Sequence, residues 1–565
     1  MSPRHRFLPL LPSLTLLAML GPVAAGLYGT ILPAFGHLPA AGLTGPSLDP
    51  MRDLIAWPGF WPSVRLSFVT GMVAAGLSLG IVALILAGWA GTPTFRWVER
   101  ALAPLLSVPH AAAAFGLAFL IAPSGWIARL FSPWLTGWDR PPDLLILQDP
   151  WGMSLIAGMV MKEVPFLLLM SIAALGQVNG ARRLLVAQSL GYGRVSGWLF
   201  AVFPAIYTQI RLPVLVVLAW SMSVVDVAII LGPSTPSTLS VQIVRWMSDP
   251  DLAFRLRAAA GALVQLGLVA AGIGLWIGFE RLVTRLSAAV AYRGQRWGAG
   301  PAPRALGLLG ALSVALLLFL GLISLLIWSF AGFWSFPDLF PDQFTLRSWH
   351  RHGAGSWVAI GETAWIAVIA VGLGLFLTLG CLEAEERYDL RLTRRGMWLL
   401  YLPLLVPQVA FLPGLQTLML TLGVETGRGA VVLAHLVFVL PYLRLSLQDP
   451  WMHWDRRQAV VAAALGASAD RILWRVRLPM LLAPILTAIA VGVSVSVGQY
   501  LPTLLVGGGR VETLTTEAVA LASGGDRRAI GVFGLLQVLA AMLPFALALA
   551  IPAFVWRNRK GLKHG

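Results

Sequence analysis

Lysine, cysteine and charge are all scarce in this chain. Of 565 residues only 12% are charged, and Lys162, Lys560 and Lys563 are its only lysines. None of the three follows a glycine, so no G-x-x-x-x-G-K-[ST] phosphate loop exists and any ATP used on its behalf must be hydrolysed by another chain. The single cysteine, Cys381, excludes an intrachain disulfide and a cysteine-based metal site. No H-E-x-x-H or other metal-ligand spacing occurs, and no group of carboxylates or histidines is repeated or clustered as a catalytic site would be. The expectations are therefore no catalytic residues, no metal and no cofactor held by this chain.

What is present is apolar. Hydrophobic residues make up 58% of the chain and the mean hydropathy is +0.79, more than soluble cores of this size can hide. A net charge of +16 raises nucleic acid as a partner, but the arginines sit in short loops beside apolar runs, so the partner they indicate is the lipid bilayer. A bilayer core of about 30 Å takes roughly 20 residues of helix. Twelve runs qualify: 8–32, 65–89, 103–123, 152–177, 206–231, 258–279, 305–331, 357–381, 397–422, 428–447, 480–506 and 530–556. The first begins after Arg4 and Arg6 and contains Val23-Ala24-Ala25, which resembles a signal-peptidase site. Its length and its counterpart at 305–331 favour an uncleaved span. The fold class expected is an all-α membrane protein.

The chain is also duplicated. Ala187-Gln188-Ser189-Leu190-Gly191 is followed thirteen positions on by Pro204; Ala462-Ala463-Ala464-Leu465-Gly466 is followed thirteen positions on by Pro479. The offset of 275 residues also brings Gly232 onto Gly507, Thr238-Leu239 onto Thr513-Leu514 and Asp251 onto Asp526. In the third and ninth spans Pro104, Pro109 and Gly116 answer to Pro403, Pro407 and Gly414. The repeats are 1–290 and 305–565, joined by a basic linker at 291–304, and their matched loops fall at about 178–205 and 448–480. Six spans per repeat is an even number, so both enter the membrane the same way and their pseudo-twofold axis runs along the membrane normal, with a path between them.

The positive-inside rule places the N-terminus in the cytoplasm. Inner segments then carry Arg96 and Arg100; Arg182, Arg183 and Arg194; Arg281 to Arg304; Arg387, Arg391, Arg394 and Arg395; Arg456 to Arg477; and the tail Arg557, Arg559, Lys560 and Lys563. Both termini and both repeated loops are expected to be cytoplasmic.

The loops resemble the E-A-A-x-x-x-G-x(9)-I-x-L-P signature of ABC importer permeases. The second copy reads Val460-Val461-Ala462, Gly466 and Val476-Arg477-Leu478-Pro479; the first reads Leu185-Val186-Ala187, Gly191 and Ala201-Val202-Phe203-Pro204. The leading Glu is absent from both. The whole chain is similar to fused, two-in-one permeases of the iron(III)/thiamine/phosphonate group. Ser223 to Pro233 and Leu514 to Leu521 are close to an uncharacterised enterobacterial inner-membrane permease of that group. The resemblance implies a bacterial inner-membrane importer subunit built as two six-helix permease domains. It implies two copies of a cytoplasmic ATPase coupled through Ala187, Leu190, Gly191, Pro204, Ala462, Leu465, Gly466 and Pro479. It also implies a periplasmic substrate-binding protein and a small solute, thiamine and iron(III) among the candidates. The plain alternative for each loop is a basic turn with a glycine helix cap.

Charges inside spans need a reason, because each costs at least ~2.5 kcal/mol on insertion scales. Lys162 and Glu163 fall in the fourth span, Asp226 towards the outer end of the fifth, and Gln499 and Tyr500 beside the repeat equivalent of Asp226. Two readings stand: these residues line the path, or they brace the bundle, with Lys162 pairing to Asp226 or Glu163 to an arginine. His435, in the tenth span, reads as a buried, hydrogen-bonded imidazole. The polar outer segments 233–257 and 507–528 are expected to form short helices that meet the binding protein. A rival class is an ion-coupled secondary carrier of twelve helices, which would want ion-binding carboxylates in the bundle core and leaves the matched Ala/Gly/Pro loops unexplained.

Overall fold

The computed structural model describes residues 7–39, 42–294, 296, 300–390 and 394–557. Of the basic residues used for orientation, Arg4, Arg6, Arg391, Arg559, Lys560 and Lys563 lie outside the described residues, as do linker positions 295 and 297–299 and the side chains of Arg394 and Arg395. Among the described residues there is no strand; two isolated bridges, Leu38 to Leu43 and Ala331 to Phe344, follow the first span of each repeat.

The first repeat runs α1 (Leu11–Ala34), α2 (Asp49–Ala56), α3 (Phe60–Trp89), α4 (Pro93–Leu102), α5 (His110–Ile121), α6 (Trp126–Phe131), α7 (Met153–Gln177), α8 (Gly180–Ser189), α9 (Arg194–Ala201), α10 (Phe203–Ser223), α11 (Asp226–Leu231), α12 (Leu239–Met247) and α13 (Ala253–Tyr292). The second runs α14 (Pro301–Phe330), α15 (Arg347–Arg387), α16 (Arg394–Leu405), α17 (Gln408–Thr421), α18 (Arg428–Met452), α19 (Arg457–Ala464), α20 (Ala469–Ile472), α21 (Leu478–Met480), α22 (Leu482–Val497), α23 (Leu501–Gly507), α24 (Leu514–Ala522) and α25 (Arg527–Val555). Ten of these helical segments are long and apolar enough to cross a membrane, or twelve if each of two bent pairs counts as one span.

Four expected spans are interrupted, at matched places. The third contains a short 3₁₀ turn, Pro104–Ser107, then extended backbone at Val108 and Pro109 before α5 starts. The ninth is divided at Val406-Pro407, where α16 and α17 meet at 93°. Proline supplies no N–H and forces the residue before it towards extended geometry, which stops each helix there. The fifth breaks between Ser223 and Asp226 and the eleventh between Val497 and Leu501. Carbonyls freed inside a bundle must find other donors. Gln265 Nε2 donates to Met222 O at 2.8 Å. At the equivalent carbonyl, Val497 O, the donor is the Thr515 hydroxyl, which in turn accepts from Gln537 Nε2.

The packed units do not coincide with the sequence repeats. α1 lies against α17 of the second repeat, and α14 lies against α3 and α5 of the first. Glycines make both crossings close, because a residue without Cβ lets backbones touch. A Cβ on Gly26 would sit 2.3 Å from Phe411 O, and one on Gly116 would sit 2.8 Å from the carbonyl carbon of Gly321. Thr30 adds a hydrogen bond to Ala410 O at 2.9 Å. Each repeat thus holds the first span of the other, with a large shared apolar core.

The outer segments do contain the short helices α12 and α24, but both are largely buried rather than presented outward. Their first amides are tied at equivalent places: Leu239 N–H to Ser67 Oγ at 2.9 Å, and Leu514 N–H to Thr363 Oγ1 at 3.0 Å. Apolar residues such as Leu239, Ile243 and Leu514 drive this burial, and within the two helices only Arg245 and Ala520 are exposed.

Candidate coupling loops and inter-repeat polar cluster

Both repeated loops are helix–turn–helix units with one hydrogen-bond pattern. At the end of α8, Gly191 N–H donates to Gln188 O at 2.9 Å and Tyr192 N–H to Ala187 O at 3.1 Å. At the end of α19, Gly466 N–H donates to Ala463 O at 2.9 Å and Ala467 N–H to Ala462 O at 3.0 Å. These are Schellman caps, which require a left-handed residue. Gly191 and Gly466 supply it at φ +89° and +81°. Pro204 opens α10 and Pro479 opens α21.

Ala187 is turned inward, and a Cβ on Gly197 would lie 3.2 Å from its methyl, so it closes α8 onto α9. The outward residues are Leu185, Val186 and Leu190 on the first loop and Val460, Val461 and Leu465 on the second. All six are more than half exposed, and they form three pairs at the repeat offset, with Leu465 reaching 83%. Of these, Leu190 and Leu465 are among the coupling residues expected from the sequence; the other four enter there only as the positions before Ala187 and Ala462 in the repeated signature.

The two loops are held differently. Arg194 donates to Gly88 O and Ala90 O at 2.9 and 2.6 Å, fixing α9 to the end of α3. Burial and the charge of nearby Arg304 pull the Arg194 pKa below its ordinary value. The second loop is held to α15. Arg387 bonds Asp470 at 2.8 Å and Glu383 at 2.5 Å. Arg477 pairs with Glu386, donates to Trp451 O at 2.9 Å and stacks 3.8 Å from the Trp451 ring centre.

The five polar residues expected inside the membrane separate into two groups. Lys162 Nζ donates to Leu105 O at 3.1 Å, Leu106 O at 3.2 Å and Val108 O at 2.5 Å, carbonyls at the break before α5, of which Leu105 O also accepts the Val108 N–H at 3.3 Å. It pairs with neither Asp226 nor Glu163. The other four gather between the repeats. Glu163, 5% exposed, has its carboxylate 3.8 Å from His110 Nε2 and makes no hydrogen bond among the described residues. Asp226 begins α11 within electrostatic reach of His110 and Tyr500. Gln499 accepts from Gln408 Nε2 at 3.2 Å, and the His110 ring lies 4.4 Å from that of Trp220. His110 and Gln408 were not foreseen, although each directly follows a matched proline, Pro109 and Pro407. The second repeat contributes neutral residues to this cluster and the first contributes charged ones. His435 is apart from it, buried between Ser496 Oγ and Thr503 Oγ1 at 2.9 Å each.

Two interlocked repeats of six spans, a buried polar cluster between them and twin loops at one end define a membrane transport subunit. The model of the binding-protein-dependent transport system inner membrane component family matches residues 370–556. Over 554 residues the chain is 32% identical to the inner membrane ABC transporter permease protein YnjC of Escherichia coli K12, covering 97% of this chain and 98% of that one. It is 30% identical over 210 residues to the molybdenum transport system permease protein ModB of Mycobacterium tuberculosis, 34% of this chain and 78% of the relative. It is 25% identical over 142 residues to the spermidine/putrescine transport system permease protein PotC of Haemophilus influenzae, 25% and 55% respectively. The chain belongs to the ABC transporter permeases, as a multi-pass inner-membrane protein, and the ion-coupled carrier is set aside.

Proposed function

We propose that this chain forms the whole translocation path of an ATP-driven importer. Two copies of a cytoplasmic ATPase dock on its two loops, and a periplasmic binding protein delivers solute at the opposite end. Both termini are cytoplasmic. The chain performs no covalent chemistry; ATP is hydrolysed on the partner, and closure of the ATPases moves α8–α9 and α19–α20, which alternately opens a path between the repeats to either side.

The observation that carries this reading is the matched exposed triad, Leu185, Val186 and Leu190 against Val460, Val461 and Leu465. Burying one such side chain is worth about 1.5–3 kcal/mol, so a repeated apolar surface at one end of the bundle is a docking surface used twice. The relatives' names cover a polyamine and molybdenum, so kinship does not select the cargo. The chemistry of the polar cluster between the repeats, Glu163 and Asp226 beside one histidine, favours a small cationic solute, for which thiamine and iron(III) are the first candidates. The deciding experiment isolates the intact complex from native membranes in mild detergent and measures its subunit masses. An ATPase at two copies per permease supports the reading; a permease alone, even with nucleotide trapped, defeats it.

A further inference from the structure

At the end of the bundle opposite the loops, three arginines from both repeats line one open pocket of about 470 Å³. Ser124 and Arg129 come from the first repeat; Trp328, Trp334 and the Gly524–Arg528 turn come from the second. Arg129 Nε and Arg527 Nη1 both donate to a single carbonyl, Ser124 O, at 3.1 and 3.2 Å. Arg527 also reaches Ser124 Oγ at 2.6 Å. Arg129 Nη1 donates to Ser335 O and Asp338 O at 2.5 and 2.8 Å, and Arg528 donates to Ala331 O and Gly332 O at 3.0 and 3.1 Å. Beneath them, Arg129 stacks 4.6 Å from Trp334 and Arg527 5.2 Å from Trp328, and the two indoles are 4.5 Å apart.

Carbonyls and rings orient these guanidinium groups, and the Asp338 carboxylate acts on Arg129 only at longer range than an ion pair. Among the described residues none of the three arginines has a carboxylate within ion-pair distance. The acids nearby are turned to other work: Asp526 accepts the amides of Arg528 and Ala529 at 3.0 and 3.3 Å, and the Asp338 carboxylate holds Ser335 Oγ at 2.5 Å. Arg129 is only 5% exposed, and its Nη2 has no partner among the described residues. Like charges converging on one site repel unless an anion joins them, and a guanidinium fork fits two oxygens of a carboxylate or phosphate. The feature occurs once, because the repeat equivalents of Arg527 and Arg528 are Leu252 and Ala253.

We propose that this pocket is an oxyanion site, occupied by a phosphate-type group that ties the end of the third span to the start of the last. That group comes from an anionic phospholipid headgroup or from a free small anion, and the test separates the two. The purified permease is placed in phosphatidylcholine nanodiscs, and its thermal midpoint is followed in two arms. One adds inorganic phosphate at an ionic strength held constant with chloride; the other replaces part of the lipid with phosphatidylglycerol. A rise of several degrees in the first arm assigns a free anion, and a rise confined to the second assigns a headgroup. In either case Arg527→Gln should weaken the effect about tenfold, as loss of one charge-assisted pair predicts, while exposed Arg510→Gln at the same end leaves it intact. No rise in either arm overturns the site, as does an equal loss in the Arg510 variant, which would mean unspecific surface charge. The wild-type response alone decides the matter if Arg527→Gln does not fold.

Discussion

A methyl group built on Gly414 would lie 2.1 Å from the carbonyl oxygen of Gly26, so the two backbones meet with no room for a side chain. This contact joins α17 of the second repeat to α1 of the first, and Gly116 against Gly321 is its counterpart. A single chain clasped twice in this way resists separation of its halves. Gly414→Val should destabilise the permease by about 1–3 kcal/mol, the range for overpacking a tight contact. Thermal unfolding in detergent measures it, with Gly361→Ala, which has nothing within 4 Å, as the neutral control.

Leu465 and Leu190 are 83% and 54% exposed, so a polar replacement disturbs no packing within the chain. Leu465→Asp and Leu190→Asp should each weaken ATPase association roughly tenfold, the equivalent of about 1.4 kcal/mol. Uptake should fall while the amount of permease in the membrane stays constant. The double variant should lose co-purifying ATPase altogether. Unchanged co-purification in the double variant would show that the partner docks elsewhere.

Lys162 and Asp226 should respond oppositely to neutralisation. Lys162→Met leaves the carbonyls of Leu106 and Val108 without their Lys162 donor, while Leu105 O keeps the Val108 N–H, and should cost about 3 kcal/mol of stability, seen as less folded protein with normal uptake per folded molecule. Asp226→Asn should leave protein level alone and lower uptake. If Asp226→Asn reduces only the amount of protein, this carboxylate is a brace and not part of the path.

Arg477 combines an ion pair to Glu386 with stacking on Trp451 and Trp454, at 3.8 and 4.9 Å. Lysine keeps the charge but not the planar fork or the stacking. Arg477→Lys should therefore loosen α19–α20, raising protease cleavage between 453 and 470 and reducing uptake several-fold, while the first loop, held by Arg194, remains protected. Equal protease sensitivity in variant and wild type would argue against this anchor.

Much of this protein was open to reading in its residues. Spans show as long apolar runs, and the duplication shows as matched punctuation. Gly191 and Gly466 announce their turns because the left-handed conformation at a helix end favours glycine. Less open were the outward triads, since Leu185 and Val461 look like any loop residue until the fold decides which face they present. His110 and Gln408 were hidden for the same reason, as was the burial of α12 and α24.

Local pattern by itself determined an all-helical, twice-repeated membrane protein with paired loops, because bilayer thickness, helix period and turn stereochemistry act over a few residues to a few tens. Tertiary structure alone decided that α1 and α14 trade places, that Lys162 serves backbone at a helix break, and that Arg129 and Arg527 converge on Ser124. Apart from the local Arg129–Ser124 contact, those arrangements join positions tens to hundreds of residues apart. They arise from close packing and from the need to satisfy each buried polar group, and neither leaves a periodic mark on the chain.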